Sequence, residues 1–293
     1  MTGPTAGRRR TRAERVRRPV SLPGWGLAAV CGLCLVLAAY VLVLSGLQQH
    51  ATQGRLYDQV REQAALGTAP LGATTPGRPV ALLQVPDAGL RDVVVVEGTS
   101  SRQTQDGPGH RRDTALPGQP GVSVLYGRGL SAGGPFRRIG TLQVGDRITL
   151  TTGQGTFRYT VSGVRRQGSA VPKALAQGGS RLTLVSEEFS SLREGLVPRG
   201  QVLVDATMHG ATKTPDRLRP SVIAPSEQAQ AGYGGALFPL VLWLRLLLLA
   251  VCATAWVAVR WRPGQAWLVA APALTALLWL CLSNASLLLP NLF

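Results

Sequence analysis

Between residues 48 and 237 this chain has no cysteine. All four cysteines lie in long apolar runs: Cys31 and Cys34 in the first, Cys252 in the second, Cys281 in the third. The absence removes disulfide staples from the intervening segment, which must be held by packing alone. It also excludes a thiol nucleophile there. Histidine is scarce, at His50, His110 and His209 alone. No carboxylate lies in any apolar run, which excludes a proton relay or ion path through them. There is no internal repeat. Nor is there a clustered spacing of oxygen ligands, so no metal or other cofactor is expected. Glu97, Asp146 and the Glu187/Glu188 pair read instead as solvated surface carboxylates.

Apolar length is what the chain has in quantity. The runs 24–47, 236–259 and 265–289 are each long enough for a helix to cross a bilayer, which takes about 20 residues. The second run carries a single charge, Arg245, about 10 Å deep at the rise of a helix. That depth suits snorkelling to the headgroups, or contact with the first span or a partner. Pro272 and the Ser283–Ser286 stretch punctuate the third run. The first run is longer than the core of a cleaved signal peptide, about 7–15 residues, and no small-x-small site follows it, so it is expected to remain as an anchor.

The formal charge is +16. Seven arginines precede residue 20 against Glu14 alone, and Arg260 and Arg262 flank the turn between the second and third runs. Basic flanks stay cytoplasmic. One orientation satisfies both clusters, with the tail 1–23 and the 260–262 turn inside and the long middle segment outside. The tail therefore reads as a topology signal touching membrane lipids, and no nucleic-acid partner is expected.

Within the middle segment, 48–77 combines a juxtamembrane helix, where Leu56, Val60 and Ala64 recur four apart, with a Gly/Pro/Thr linker. From 78 to 206 the pattern changes to short, β-branched runs: VALLQV, DVVVV, VSVLY, DRITLTT, TFRYTVSGV, RLTLVS and QVLVDA. Thr152-Gly-Gln-Gly155 reads as a hairpin turn between two of them. Seven or eight such strands with little helix predict a closed barrel or a sandwich. Residues 98–121 predict a long loop, 135–142 one helical turn, and 207–235 a second, poorly packed linker.

Taken in order, VVVVEGTS, GPGH, TALPGQPGVSVLYGRG, GGPFRRIGTLQVGDRITLTT, FRYTVSGV and RLTLVS resemble the sortase family, and the class E type of actinobacteria in particular. The low lysine content, with Lys173 and Lys213 alone among 31 basic residues, agrees with a high-GC genome of that kind. The resemblance covers about 78–206. It implies a mainly β fold, an eight-stranded sortase-like β-barrel outside a bacterial plasma membrane, to which the three apolar runs add one N-terminal and two C-terminal transmembrane helices. Active sortases are cysteine transpeptidases. Their histidine closes a strand after the PGQPG turn, their cysteine ends a strand reading threonine-leucine-x-threonine-cysteine, and their arginine opens the next.

Carried onto this chain, the histidine position is Arg128, within Tyr126-Gly127-Arg128. The cysteine position is Glu187, within Thr183-Leu184-Val185-Ser186-Glu187. The arginine position is Gln201, with Arg199 two residues earlier. All three identities differ from the family's. Its mechanism needs a thiolate that forms a thioester, which a glutamate cannot do. An arginine stays protonated and shuttles no proton.

Ser186 is the one hydroxyl beside the site, and a serine nucleophile needs a base. His110 lies in a family-like loop and reads as structural, whereas His209 falls in the linker. Gly127-x-Gly129-x-x-Ala132 opens no helix, so it is no dinucleotide fingerprint.

The main reading is thus a membrane-anchored pseudo-sortase that binds or scaffolds a sorting-signal peptide, a surface protein or an active sortase. The alternative is a residual sortase-like transpeptidase or a serine-dependent hydrolase acting on cell-surface proteins. Arg128 and Glu187, a cation and an anion, are expected to face each other in a salt bridge or a near contact.

Overall fold

The computed structural model describes residues 22–72, 74–166, 168–190, 194, 196–214, 220–260 and 263–293. Most of the basic tail, Arg262 and part of the second linker lie outside them. The chain divides into two units, Met1–Ala38 and Ala39–Phe293.

Nearly all of helix α1, Leu22–Ala39, belongs to the first unit. In the second unit, a π-turn at Tyr40–Leu44 leads into α2, Ser45–Ala65. Three stretches are long and apolar enough to cross a membrane: Cys31–Ala65, Gly234–Arg260 and Leu268–Leu287. The last two lie in α4, Leu237–Arg260, and α5, Pro263–Leu287. Pro272 sits inside α5 without ending it, as membrane helices tolerate. Arg245 is exposed on α4.

The β-rich segment closes into an eight-stranded barrel in the order β1-β2-β3-β4-β7-β8-β6-β5. Its strands are β1 (Pro79–Val85), β2 (Leu90–Glu97), β3 (Gly109–His110), β4 (Gly121–Tyr126), β5 (Arg147–Thr152), β6 (Gly155–Arg165), β7 (Ser180–Phe189) and β8 (Pro198–His209). Alternation places Leu182 and Leu184 of β7 in the main core with Leu83, Ile148, Tyr159 and Val204. Thr152 pairs with Gly155, so a two-residue turn joins β5 to β6 as expected. α2 docks on the barrel through Gln53, whose amide mimics a strand partner: Val94 N donates to its Oε1 at 2.8 Å and its Nε2 donates to Val94 O at 3.1 Å.

Four features differ from the sequence expectations. The 98–121 loop contains a short helix, α3 (Ser101–Asp106), as well as β3. Neither is long enough to show a hydrophobic period. β8 continues to His209, which pairs with Arg158 and meets Thr160 Oγ1 at 2.8 Å, so His209 is a strand residue.

The second half of the 207–235 linker is packed. Glu227 is buried, Tyr233 N donates to Leu287 O, and Asn291 N donates to Ala231 O. Glu97 is 1% exposed, not a surface carboxylate. It ends β2 under the 98–121 loop and is paired there with His110.

Candidate functional site

β4 and β7 run parallel with Tyr126 opposite Val185, and Gly127 N donates to Val185 O at 3.0 Å. β7 and β8 run antiparallel with Glu187 opposite Gln201. The ends of three strands thus bring Arg128, Glu187 and Gln201 to one end of the barrel. The glycines flanking Arg128 are required by space. A Cβ on Gly127 would lie 2.3 Å from the Phe136 ring, and one on Gly129 would lie 2.1 Å from Glu187 O.

Arg128 is completely buried. Its Nη2 donates to Ser101 O at 2.8 Å and Ser101 Oγ at 2.6 Å, its Nη1 to Ser131 Oγ at 2.7 Å, and its Nε to Thr104 Oγ1 at 3.3 Å. Burial pushes its pKa down to about 10, opposed by the nearby charge of Asp106. The guanidinium therefore stays charged at neutral pH. Burial also raises the pKa of Asp106, against the lowering effect of Arg102, Arg55 and Arg128.

The expected salt bridge to Glu187 is not formed. Arg128 lies past the end of β4 and turns toward α3, where hydroxyl and carbonyl oxygens take up its donors. Glu187 is half-buried, and burial raises its pKa. Neither residue has an ion-pair partner within 4 Å among the described residues.

Ser186 is fully buried, and its hydroxyl only reaches Glu187 O at 3.5 Å. No base serves it. His110 Nδ1 meets Glu97 Oε2 at 3.1 Å, and its Nε2 donates to Ala115 O at 2.9 Å. Arg199 pairs with Glu194 at the surface and does not enter the site. Among the described residues, no three His, Cys, Asp or Glu side chains gather as a metal site.

On the outer face of β4, β7 and β8 lies a groove of about 340 Å³, floored by Val122, Val124, Tyr126, Val185 and Leu203. Beside it, the buried Asp205 carboxylate accepts from Arg165 Nε and from Thr183 Oγ1 at 2.8 Å. Leu292, which follows α5, is wholly buried against Tyr126 and Val185, with Val124 and Leu203 packed around it. Sequence reasoning missed Ser101, Ser131 and Leu292. No local period links them to β4, and only their convergence in space marks them.

A family profile described as Sortase domain matches residues 83–193. Sortase SrtE1 of Streptomyces coelicolor is 31% identical over 141 residues, 45% of this chain and 39% of that protein. Sortase D of Bacillus subtilis is 32% identical over 85 residues, 29% of this chain and 41% of that protein. The chain thus spans 39 to 41% of the length of these relatives. Among solved structures, sortase E1 from Streptomyces coelicolor is 26% identical, covering 49% of this chain and 98% of that one with a TM-score of 0.37. The barrel of this chain is thus similar to a sortase domain over residues 83–193, and its relatives are sortases, the class E-like SrtE1 among them.

Proposed function

We propose that this chain is a membrane-anchored pseudo-sortase, which binds a sorting-signal-like peptide on the outer side of a bacterial plasma membrane without cleaving it. The observation that carries this reading is Arg128. A residue at the family's histidine position must give and take a proton near neutral pH. Arg128 is buried and charged there, with its donors held by Ser101, Thr104 and Ser131. Two further substitutions support the reading. Glu187 stands at the nucleophile position without a thiol to form a thioester. Gln201 opposite it offers a neutral amide at the arginine position.

The alternative, a serine-dependent hydrolase built on Ser186, lacks a base, because both ring nitrogens of His110 are engaged elsewhere. The proposed orientation puts the basic tail 1–23 and the 260–262 turn in the cytoplasm. Membrane lipid and a sorting-signal peptide are the proposed partners, and an active sortase is another.

Incubation of the full chain in detergent micelles with a fluorogenic sorting peptide and an amine acceptor tests the proposal. No cleavage or ligation product is expected. Turnover abolished by a thiol reagent overturns the non-catalytic reading. Turnover lost in Ser186→Ala assigns the chain to serine hydrolysis instead.

A further inference from the structure

Beyond α5, the chain does not leave the barrel. It crosses the end of the barrel where Arg128 stands. Leu289 O accepts from Ser101 Oγ at 2.9 Å. Asn291 is buried, with its Nδ2 donating to Thr99 O at 2.6 Å and Gln228 O at 2.8 Å. Leu292 O accepts from Gly129 N at 3.0 Å, and Phe293 O accepts from Ser131 N at 3.2 Å. Phe293 O also accepts from Ser131 Oγ at 2.6 Å. The Phe293 ring packs edge-on against Phe189, 5.3 Å between centroids.

The two serines in this set are the two that Arg128 grips. Nη2 donates to Ser101 Oγ, which donates onward to Leu289 O. Nη1 donates to Ser131 Oγ, which donates onward to Phe293 O. A hydroxyl that accepts from a cation becomes a stronger donor, so each relay is strengthened by the charge. This accounts for a buried guanidinium with no side-chain carboxylate within ion-pair distance among the described residues. Its charge is delivered to the backbone oxygens of Leu289 and Phe293, in one segment that turns across the barrel end.

We propose that residues 289–293, folded as a turn in which Phe293 N donates to Pro290 O, are a plug held in cis over the outer face of β4 and β7, and that Arg128 is the positioning residue that clamps it. This rests on reading the barrel as a non-catalytic peptide binder and deepens it. The site recognises a leucine seated between Tyr126 and Val185, an aromatic ring beside Phe189, and carbonyls spaced to meet Gly129, Ser131 and Ser101. Its own segment closes it. A peptide offered in trans binds only where that segment has been displaced. Because residue 289 lies two residues beyond the end of α5, movement of that helix draws on the same segment.

The test uses the full chain in micelles and a fluorescein-labelled synthetic peptide of sequence LLPNLF, read by anisotropy. Wild type is expected to bind it at least tenfold more weakly than Leu292→Asp, which ejects the segment from the apolar seat. Adding Arg128→Gln to Leu292→Asp is expected to weaken the peptide again, at least tenfold. Equal binding by wild type and a folded Leu292→Asp overturns the closure in cis, and unchanged binding on adding Arg128→Gln overturns the clamp.

Hydrogen exchange on wild type serves as a test free of variants. The Gly129 and Ser131 amides are expected to exchange at least a hundredfold more slowly than exposed amides. Fast exchange at both, with β7 still protected, overturns the docking. Peptide turnover would sink the non-catalytic reading alone and leave these binding results standing.

Discussion

His110 Nδ1 lies 3.1 Å from Glu97 Oε2, and the two residues are direct neighbours in the short parallel ladder between β2 and β3. Both are 1% exposed. The pair pins the start of the 98–121 loop, and with it α3 and the serine that Arg128 grips. Removing one partner leaves a buried polar group alone. His110→Ala is expected to destabilise the chain by about 3–5 kcal/mol, and the double change with Glu97→Leu to cost less than the sum of its parts. Thermal unfolding in micelles measures this. A loss under about 1 kcal/mol for His110→Ala would refute a buried, coupled pair.

Gly129 separates Arg128 from the loop that receives residues 292 and 293. An added Cβ would meet a backbone carbonyl, Glu187 O, at 2.1 Å. A carbonyl in a strand cannot swing aside as a side chain can. Gly129→Ala is expected to cost about 1–3 kcal/mol and to loosen the end of β7. A Tm within experimental error of wild type would show that β4 and β7 do not meet this closely.

Two adjacent glutamates respond to pH with opposite sign. Burial raises the pKa of Glu187, so its favourable contribution is present below its unfolded pKa and is lost as pH rises through the folded value. Arg166, bound to Glu188 at 2.7 Å, lowers the pKa of that residue. The contribution of Glu188 is therefore present above its unfolded pKa and is lost as pH falls through the folded value. At pH 7, Glu187→Gln is expected to raise Tm. Glu188→Gln is expected to lower it, with a stability loss of less than about 1 kcal/mol because the pair is largely exposed. Both differences should shrink at acidic pH. The same sign for both variants at pH 7 would contradict the two environments.

Arg128 and Glu187 sit at neighbouring strand ends yet share no hydrogen bond or ion pair. A double-mutant cycle of Arg128→Gln and Glu187→Gln is expected to be additive within about 0.5 kcal/mol. A coupling above about 1 kcal/mol would restore the salt bridge that the charges alone suggest.

Orientation is tested at Val144, which is 73% exposed on the barrel. With the four native cysteines replaced, a Val144→Cys variant is expected to react with a membrane-impermeant maleimide on intact cells. Labelling only after permeabilisation would place the barrel inside.

The strands and the three apolar helices were legible in the sequence because burial leaves local marks, whereas the choice of a closed barrel over a sandwich came from the sortase resemblance. A strand with one face in a core alternates, and a lipid span needs about 20 apolar residues. Motif order was enough to bring Arg128, Glu187 and Gln201 to the same strand ends. Tertiary structure alone decided the direction of Arg128. Alternation fixes the face of a residue within a strand, but not of one beyond its end, and the acceptors that draw Arg128 come from α3 and Ser131. Glu97 was misread for a related reason, since its partner lies on a strand of two residues that leaves no period. The seating of Leu292 between Tyr126 and Val185 had no local signal at all. Contacts between segments more than a hundred residues apart depend on how the chain closes on itself, and only the folded barrel brings residues 289–293 to the face where Arg128 holds them.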